Sequence, residues 1–332
     1  MTTRPTASPS APTSPTSPAD ASRPLPATET PGYRRPHVGV SARTGGLGDL
    51  SGEGEGGGGG DGAQGARGVP LDDIDARPGS TTSLLRTLIG LYLRELGGQI
   101  PSAALVRLAG DLGIPAARAR TAITRLKQRG LLQSADAGYV LNPAAIPMLE
   151  RGDRRIFHVR TMQPGDEWML ISATIPETRR DLRHQLRKRL QFLGAGAVSP
   201  ALWILPGHLD AEVQLLLDEL GARQYATNFR VTDPQPAVPL AEAAAQWWDL
   251  RALRAEHERF LASIDELDTA KPFAAYVRLI DSWRVLPYTD PGLPAALLPP
   301  DWPGTRSAQA FTALQTLLAA PALAHVLDSA DW

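Results

Sequence analysis

The sequence predicts a multidomain α+β protein. An N-terminal winged helix-turn-helix is followed by a central ferredoxin-like α+β domain and a C-terminal helical domain. Three observations predict this. Residues 83–141 read as three short helices and then a small hairpin, the winged helix-turn-helix order. Residues 168–231 alternate strand and helix in a β-α-β-β-α-β pattern. Beyond Pro239 the pattern is helical, interrupted by a proline-rich run from Asp290 to Gly304.

Taken in order, residues 1–79 are dominated by Pro, Ser, Thr and Gly and include the run Gly56–Gly60. With almost no large apolar side chains, they cannot bury enough surface to offset chain entropy and read as a disordered tail. Leu84, Leu88, Leu91 and Leu96 set a first helix, stopped by Gly97 and Gly98. A second helix spans 101–112, and Gly113-Ile114-Pro115 is a turn. The third covers 116–129 and stops at Gly130. Leu131–Gln133 and Tyr139–Leu141, joined by a turn at Asp136–Gly138, make the hairpin. Asn142–Glu150 reads as a short linker with two prolines.

Trp168–Thr174 opens the central domain as a strand. A long basic helix over Glu177–Leu193 carries Leu182, Leu186, Leu190 and Leu193 on one side. Strands at Ala195–Ser199 and Ala201–Leu205, a helix at Leu209–Leu220 and a strand at Gln224–Val231 complete it. The C-terminal helices fall at Ala241–Leu267, Phe273–Trp283 and Ala308–Leu327. The expected units are therefore 80–145, 150–232 and 240–332. The Asp290–Gly304 run is too rich in proline for a helix and too apolar for a solvated tail. It reads as a rigid connector whose Leu293, Leu297, Leu298 and Trp302 need a surface to pack on.

A chain of 332 residues accommodates two or three modest domains. Its net charge is −1, so any nucleic-acid reading must rest on local charge. The absence of cysteine excludes disulfides, zinc–cysteine sites and thiol nucleophiles. Residues 1–25 show no secretory apolar core, and no run of about 18 apolar residues is present. A cytoplasmic protein without a cofactor is expected.

Local charge is concentrated. Ser83–Gly130 holds eight Lys/Arg against Glu95 and Asp111, a net of +6. At 100° per residue, Ala119, Ala122, Ile123 and Leu126 share one face of the third helix. Thr121, Thr124, Arg125 and Gln128 take the opposite face, flanked by Arg118 and Arg120. Phosphates attract such charge, and Arg and Gln reach base edges in a major groove. A solvated basic helix is the competing reading, and the helix before and hairpin after favour DNA. The helix at Glu177–Leu193 carries a second basic face that includes Arg183 and Arg187. It admits DNA phosphates, an acidic partner, the phosphates of a coenzyme A thioester, or solvent alone. Trp247, Trp248, Phe260, Phe273, Tyr276, Trp283 and Trp302 are core aromatics or, in part, the walls of an effector pocket.

Catalysis finds little support. Histidines 158, 184, 208 and 257 are scattered, and no GxSxG or Walker loop is present. A metal-dependent nuclease on the central domain would need an acidic residue after its first strand, which ends Ser172-Ala173-Thr174. A module that recruits a protein partner through the C-terminal helices is the other rival reading.

Three segments resemble the PaaX family of transcriptional repressors. GIPAARARTAITRLKQRGLL is similar to the family's recognition helix and wing start. GDEWMLISATIPETRRDLRHQLRKRLQFLGAGAVSPALWILPG resembles its central domain. DPGLPAALLPPDWPG, preceded by the WWDL of residues 247–250, resembles its C-terminal signature. The resemblance covers 80–332 in family order. It implies a homodimeric repressor that binds a double-stranded DNA operator of an aromatic-acid (phenylacetate-type) catabolic operon. It also implies release by an aryl- or acyl-CoA thioester such as phenylacetyl-CoA, for which Arg183, Arg187 and Trp283 are the candidate contacts. Two features depart from the pattern: the long N-terminal tail, and a wing, DAGYVL, that lacks arginine.

Overall fold

The computed structural model describes residues 77–329. The tail read as disordered lies outside the described residues except for 77–79, which form a turn.

The first unit runs α1 (Thr81–Tyr92), β1 (Gln99–Pro101), α2 (Ser102–Asp111), α3 (Ala116–Gln128), β2 (Leu132–Ala135) and β3 (Gly138–Leu141). Ser80 caps α1 by accepting from the Ser83 N–H. Leu84, Leu85, Leu88 and Ile89 then face inward. The three strands pair antiparallel in the order β1-β3-β2. Strand β1 was not foreseen, because three residues carry no periodicity and its partner lies some 40 positions on. Gly138 sits where β3 crosses β1, and a Cβ there would meet the backbone at Ile100 and Pro101.

The Asn142–Glu150 linker reading is corrected. A 3₁₀ turn at Pro143–Ala145, capped by the Asn142 side chain, runs into α4 (Ile146–Phe157). Both prolines occupy first-turn positions, where a missing N–H leaves no helical bond unmade.

The central unit comprises β4 (Trp168–Ala173), α5 (Arg180–Phe192), β5 (Gly196–Ser199), β6 (Leu202–Pro206), α6 (Asp210–Glu219) and β7 (Ala226–Val231). Its antiparallel sheet has the order β5-β6-β4-β7, the ferredoxin-like arrangement. Period-2 alternation explains its burial. Met169, Ile171, Trp203 and Leu205 pack under α5 and α6, whereas Trp168 and Ile204 face the opposite side. There they meet Trp248 and Leu293 of the C-terminal region.

That region contains α7 (Leu240–Trp247), α8 (Leu250–Asp265), α9 (Pro272–Trp283), the short α10 (Leu286–Thr289) and α11 (Gly304–Ser329). The single helix expected over Ala241–Leu267 is two. Trp248 is extended, and Asp249 restarts the helix by accepting from the Ala252 N–H at 2.9 Å. The proline-rich connector is docked: Leu293 is buried and the Met162 N–H donates to the Gly292 carbonyl at 2.8 Å. Helix α11 is long and apolar enough by composition to cross a membrane. Its Phe311, Leu318, Ala322 and Val326 belong to the same core as α1 to α3 and α9.

The first and C-terminal units thus share one hydrophobic core. Polar contacts reinforce the joint. Asp281 of α9, 1% exposed, accepts from the Thr87 hydroxyl at 2.9 Å, the Gly79 N–H at 2.7 Å and the Ser83 hydroxyl. Arg284, also buried, donates to Asp281 at 3.2 Å and to Ser83 Oγ at 2.7 Å. Arg278 caps α2 through the Leu112 carbonyl, and His325 of α11 reaches Asp111 at 2.9 Å. Arg155 of α4 ties in the central unit. It donates to the Leu193 carbonyl, pairs with Glu212 at 3.4 Å and lies over the Tyr288 ring.

Candidate nucleic-acid interface

Helix α3 starts at Pro115, and the left-handed Gly113 before it sets the turn from α2. Ala119, Ala122, Ile123 and Leu126 are buried against α1 and α2. The remaining face is solvent-exposed. Arg118, Arg120, Thr121, Thr124, Arg125 and Gln128 are all exposed. Arg118, Arg120, Arg125 and Gln128 have no side-chain hydrogen bond or ion pair among the described residues. Thr121 and Thr124 bond back to the carbonyls of Ala117 and Arg120, at 3.1 and 3.0 Å. Their hydroxyls are thereby held on one rotamer while their oxygens remain open as acceptors.

Not all of the local +6 charge faces outward. Arg94 is taken up by Asp153 at 2.7 Å, and the Lys127 ammonium lies 6.0 Å over the Tyr139 ring. Tyr139 packs on the core rather than standing free. In the hairpin, Gln133, Ser134, Ala135 and Asp136 are exposed and none is cationic. The positive surface is therefore narrow and centred on α3. The helix projects away from α9 and α11, which hold α1 and α2 from behind.

The second basic face lies on α5. Leu182, Leu186 and Leu190 are buried on the sheet, while Arg183 and Arg187 are exposed. Arg183 pairs with Glu177, which holds that exposed carboxyl below its usual value. Trp283 lies in the helical core, stacked on Phe311 at 4.5 Å and donating to the Ile156 carbonyl at 3.0 Å. Of these three residues only Trp283 lines a cavity, one of about 570 Å³ under the proline-rich connector.

Asp166, the acid nearest β4, accepts from the Gln163 N–H at 3.0 Å and closes a turn. No grouping of three metal-ligating side chains occurs among the described residues. Of the scattered histidines, His208 is the perturbed one. Burial pushes it from 6.5 down to about 4, helped by Arg160 and Arg155. It is neutral in the fold, so the unfolded chain binds the extra proton between those values. Stability from this group is complete above pH 6.5 and is lost as pH falls to about 4. Replacing His208 by Asn should flatten the unfolding midpoint across that window. An unchanged acid slope would show that other groups carry it.

Comparison with known proteins agrees with this arrangement. Three family models match in chain order: PaaX-like protein over 80–144, PaaX protein central Cas2-like domain over 161–243, and PaaX-like protein C-terminal domain over 248–328. The Transcriptional repressor PaaX of Escherichia coli (strain K12) is 28% identical over 278 residues, spanning 78% of this chain and 86% of that protein. Among solved structures, the uncharacterized protein Rv0674 from Mycobacterium tuberculosis aligns with a TM-score of 0.53 at 25% identity, over 75% of this chain and all of that one. The class defined is a multidomain α+β transcription regulator. Within that class, the chain belongs to the PaaX family.

Proposed function

We propose that this protein is a homodimeric, cytoplasmic repressor whose 80–145 unit is a winged helix-turn-helix. Its DNA would be the operator of an aromatic-acid, phenylacetate-type catabolic operon, and an aryl- or acyl-CoA thioester would release it. The observation that carries the reading is α3. One face is fully buried, and the other offers Arg118, Arg120, Thr121, Thr124, Arg125 and Gln128 to solvent. In a dimer, two such helices enter successive major grooves at a spacing fixed by the protein. The effector acts by binding one spacing more tightly than the other, and a coupling of about 1–3 kcal/mol gives partial release.

A mobility shift on the promoter DNA beside the gene tests this, at about 150 mM salt with competitor DNA. A sharp complex released by phenylacetyl-CoA and untouched by free phenylacetate is expected. A sharp complex that ignores both ligands removes this effector and keeps the regulator. No specific complex removes α3 from the reading.

Arg125 is assigned to base readout. Arg125→Ala should cost about 1–3 kcal/mol on the preferred operator and relax preference at one position. Equal weakening on all sequences would make it a phosphate contact instead.

A further inference from the structure

The cavity under the proline-rich connector is built, not incidental. At about 570 Å³ it is in the range of small-molecule sites. One wall is Trp283 and the opposite one is Trp302. Trp302 is fixed from both sides: the His257 ring meets it edge-on at 5.9 Å, and the Arg254 guanidinium lies 5.5 Å from its centroid. Gly304 leaves room for the indole, since a Cβ there would lie 2.7 Å from Trp302 Nε1.

The charge of the lining is one-sided. Asp290 and Asp301 line it, and no lysine or arginine does. Arg254, behind Trp302, directs its N–H groups to the carbonyls of Pro300 and Asp301. Asp290 is engaged by His257 Nε2 at 2.8 Å and by the Gly292 N–H at 2.8 Å. The open polar groups are neutral. The side chains of Thr305 and Gln309 and the Trp302 indole N–H have no hydrogen-bond partner among the described residues. A carboxylate entering here would lose water and meet two acidic side chains without a countercharge. A flat aromatic ring bearing a neutral carbonyl would keep its ring between the tryptophans and its oxygen on these donors.

The geometry points to this cavity as a binding site for an uncharged aromatic acyl group, with the corresponding free acid excluded by charge. The ligand class is an aromatic acid masked as an amide, ester or thioester. Trp283 lies two residues beyond Asp281 on α9, so an occupant touches the helix that clamps α1. The consequence for DNA rests on the proposed repressor role, whereas the charge preference of the cavity does not.

Calorimetric titration of the full chain with phenylacetamide and with phenylacetate at pH 7.5 is the test, with operator binding measured in parallel. Phenylacetamide should bind at least tenfold more tightly than phenylacetate. Trp302→Ala should abolish binding of the amide while leaving the thermal melt and the ligand-free DNA complex in place. Gln309→Arg, a substitution on an exposed helical surface, should narrow the gap by favouring phenylacetate. Equal affinities in the unaltered protein, no amide binding at millimolar ligand, or a gap unmoved by Gln309→Arg would each overturn the assignment. Amide binding with no specific DNA complex would leave the site standing and remove the repressor reading.

Discussion

Asp281→Ala is expected to lower stability by about 3–5 kcal/mol, far more than an ordinary surface substitution. The carboxylate is 1% exposed and gathers the Gly79 N–H, the Ser83 and Thr87 hydroxyls and the Arg284 guanidinium. Alanine deletes the acceptor and leaves these donors buried in a low-dielectric joint. The cost therefore comes less from lost attraction than from stranding a cation that is itself 5% exposed. Asp281→Asn keeps the acceptor geometry without the charge and should fall between the two. Urea unfolding gives the magnitude, and amide exchange in α1 gives the location, because Ser83 and Thr87 both lie in that helix. A loss below about 1 kcal/mol would show that the shared apolar core holds α1 without the hub.

This joint marks the boundary of what the sequence can tell. The inward face of α3 was legible because Ala119, Ala122, Ile123 and Leu126 recur at helical period, and those residues are the ones buried. The basic helix α5 and the strand pattern of the central unit were legible for the same reason. The Asp281 hub has no such signal. Its partners stand 194 to 202 positions away, and an acid in an apolar helix gives no hint of where they lie. Nor did periodicity predict that the first and last units share a core, since amphipathic helices show that a face is buried but not against what. Helix α4 was hidden by prolines that weigh against helix until their first-turn positions are known. The break at Trp248 was hidden because helical residues continue on both sides of it.

That break leads to the second large effect. Trp248→Ala should cost about 3–5 kcal/mol, in line with large aromatic truncations in cores. The indole is 7% exposed, donates to the Gly194 carbonyl at 2.8 Å and lies 6.3 Å from the Trp168 ring. It fills the outer face of the sheet, so its loss opens a cavity between the central unit and the C-terminal helices. Gly196 makes the argument testable from the other side. A Cβ at Gly196 would lie 2.7 Å from Trp248 Cε2, against rigid ring atoms that cannot step aside. Gly196→Ala alone should therefore destabilise by about 1–3 kcal/mol through overpacking. In a Trp248→Ala background the same methyl meets open space, and its cost should largely vanish. The double variant should then be more stable than the sum of the two single changes predicts. Strict additivity would mean that Gly196 answers to the strand backbone and not to the indole. In that case the WWDL segment would be positioned by the Asp249 cap and its own helices, with the sheet merely adjacent.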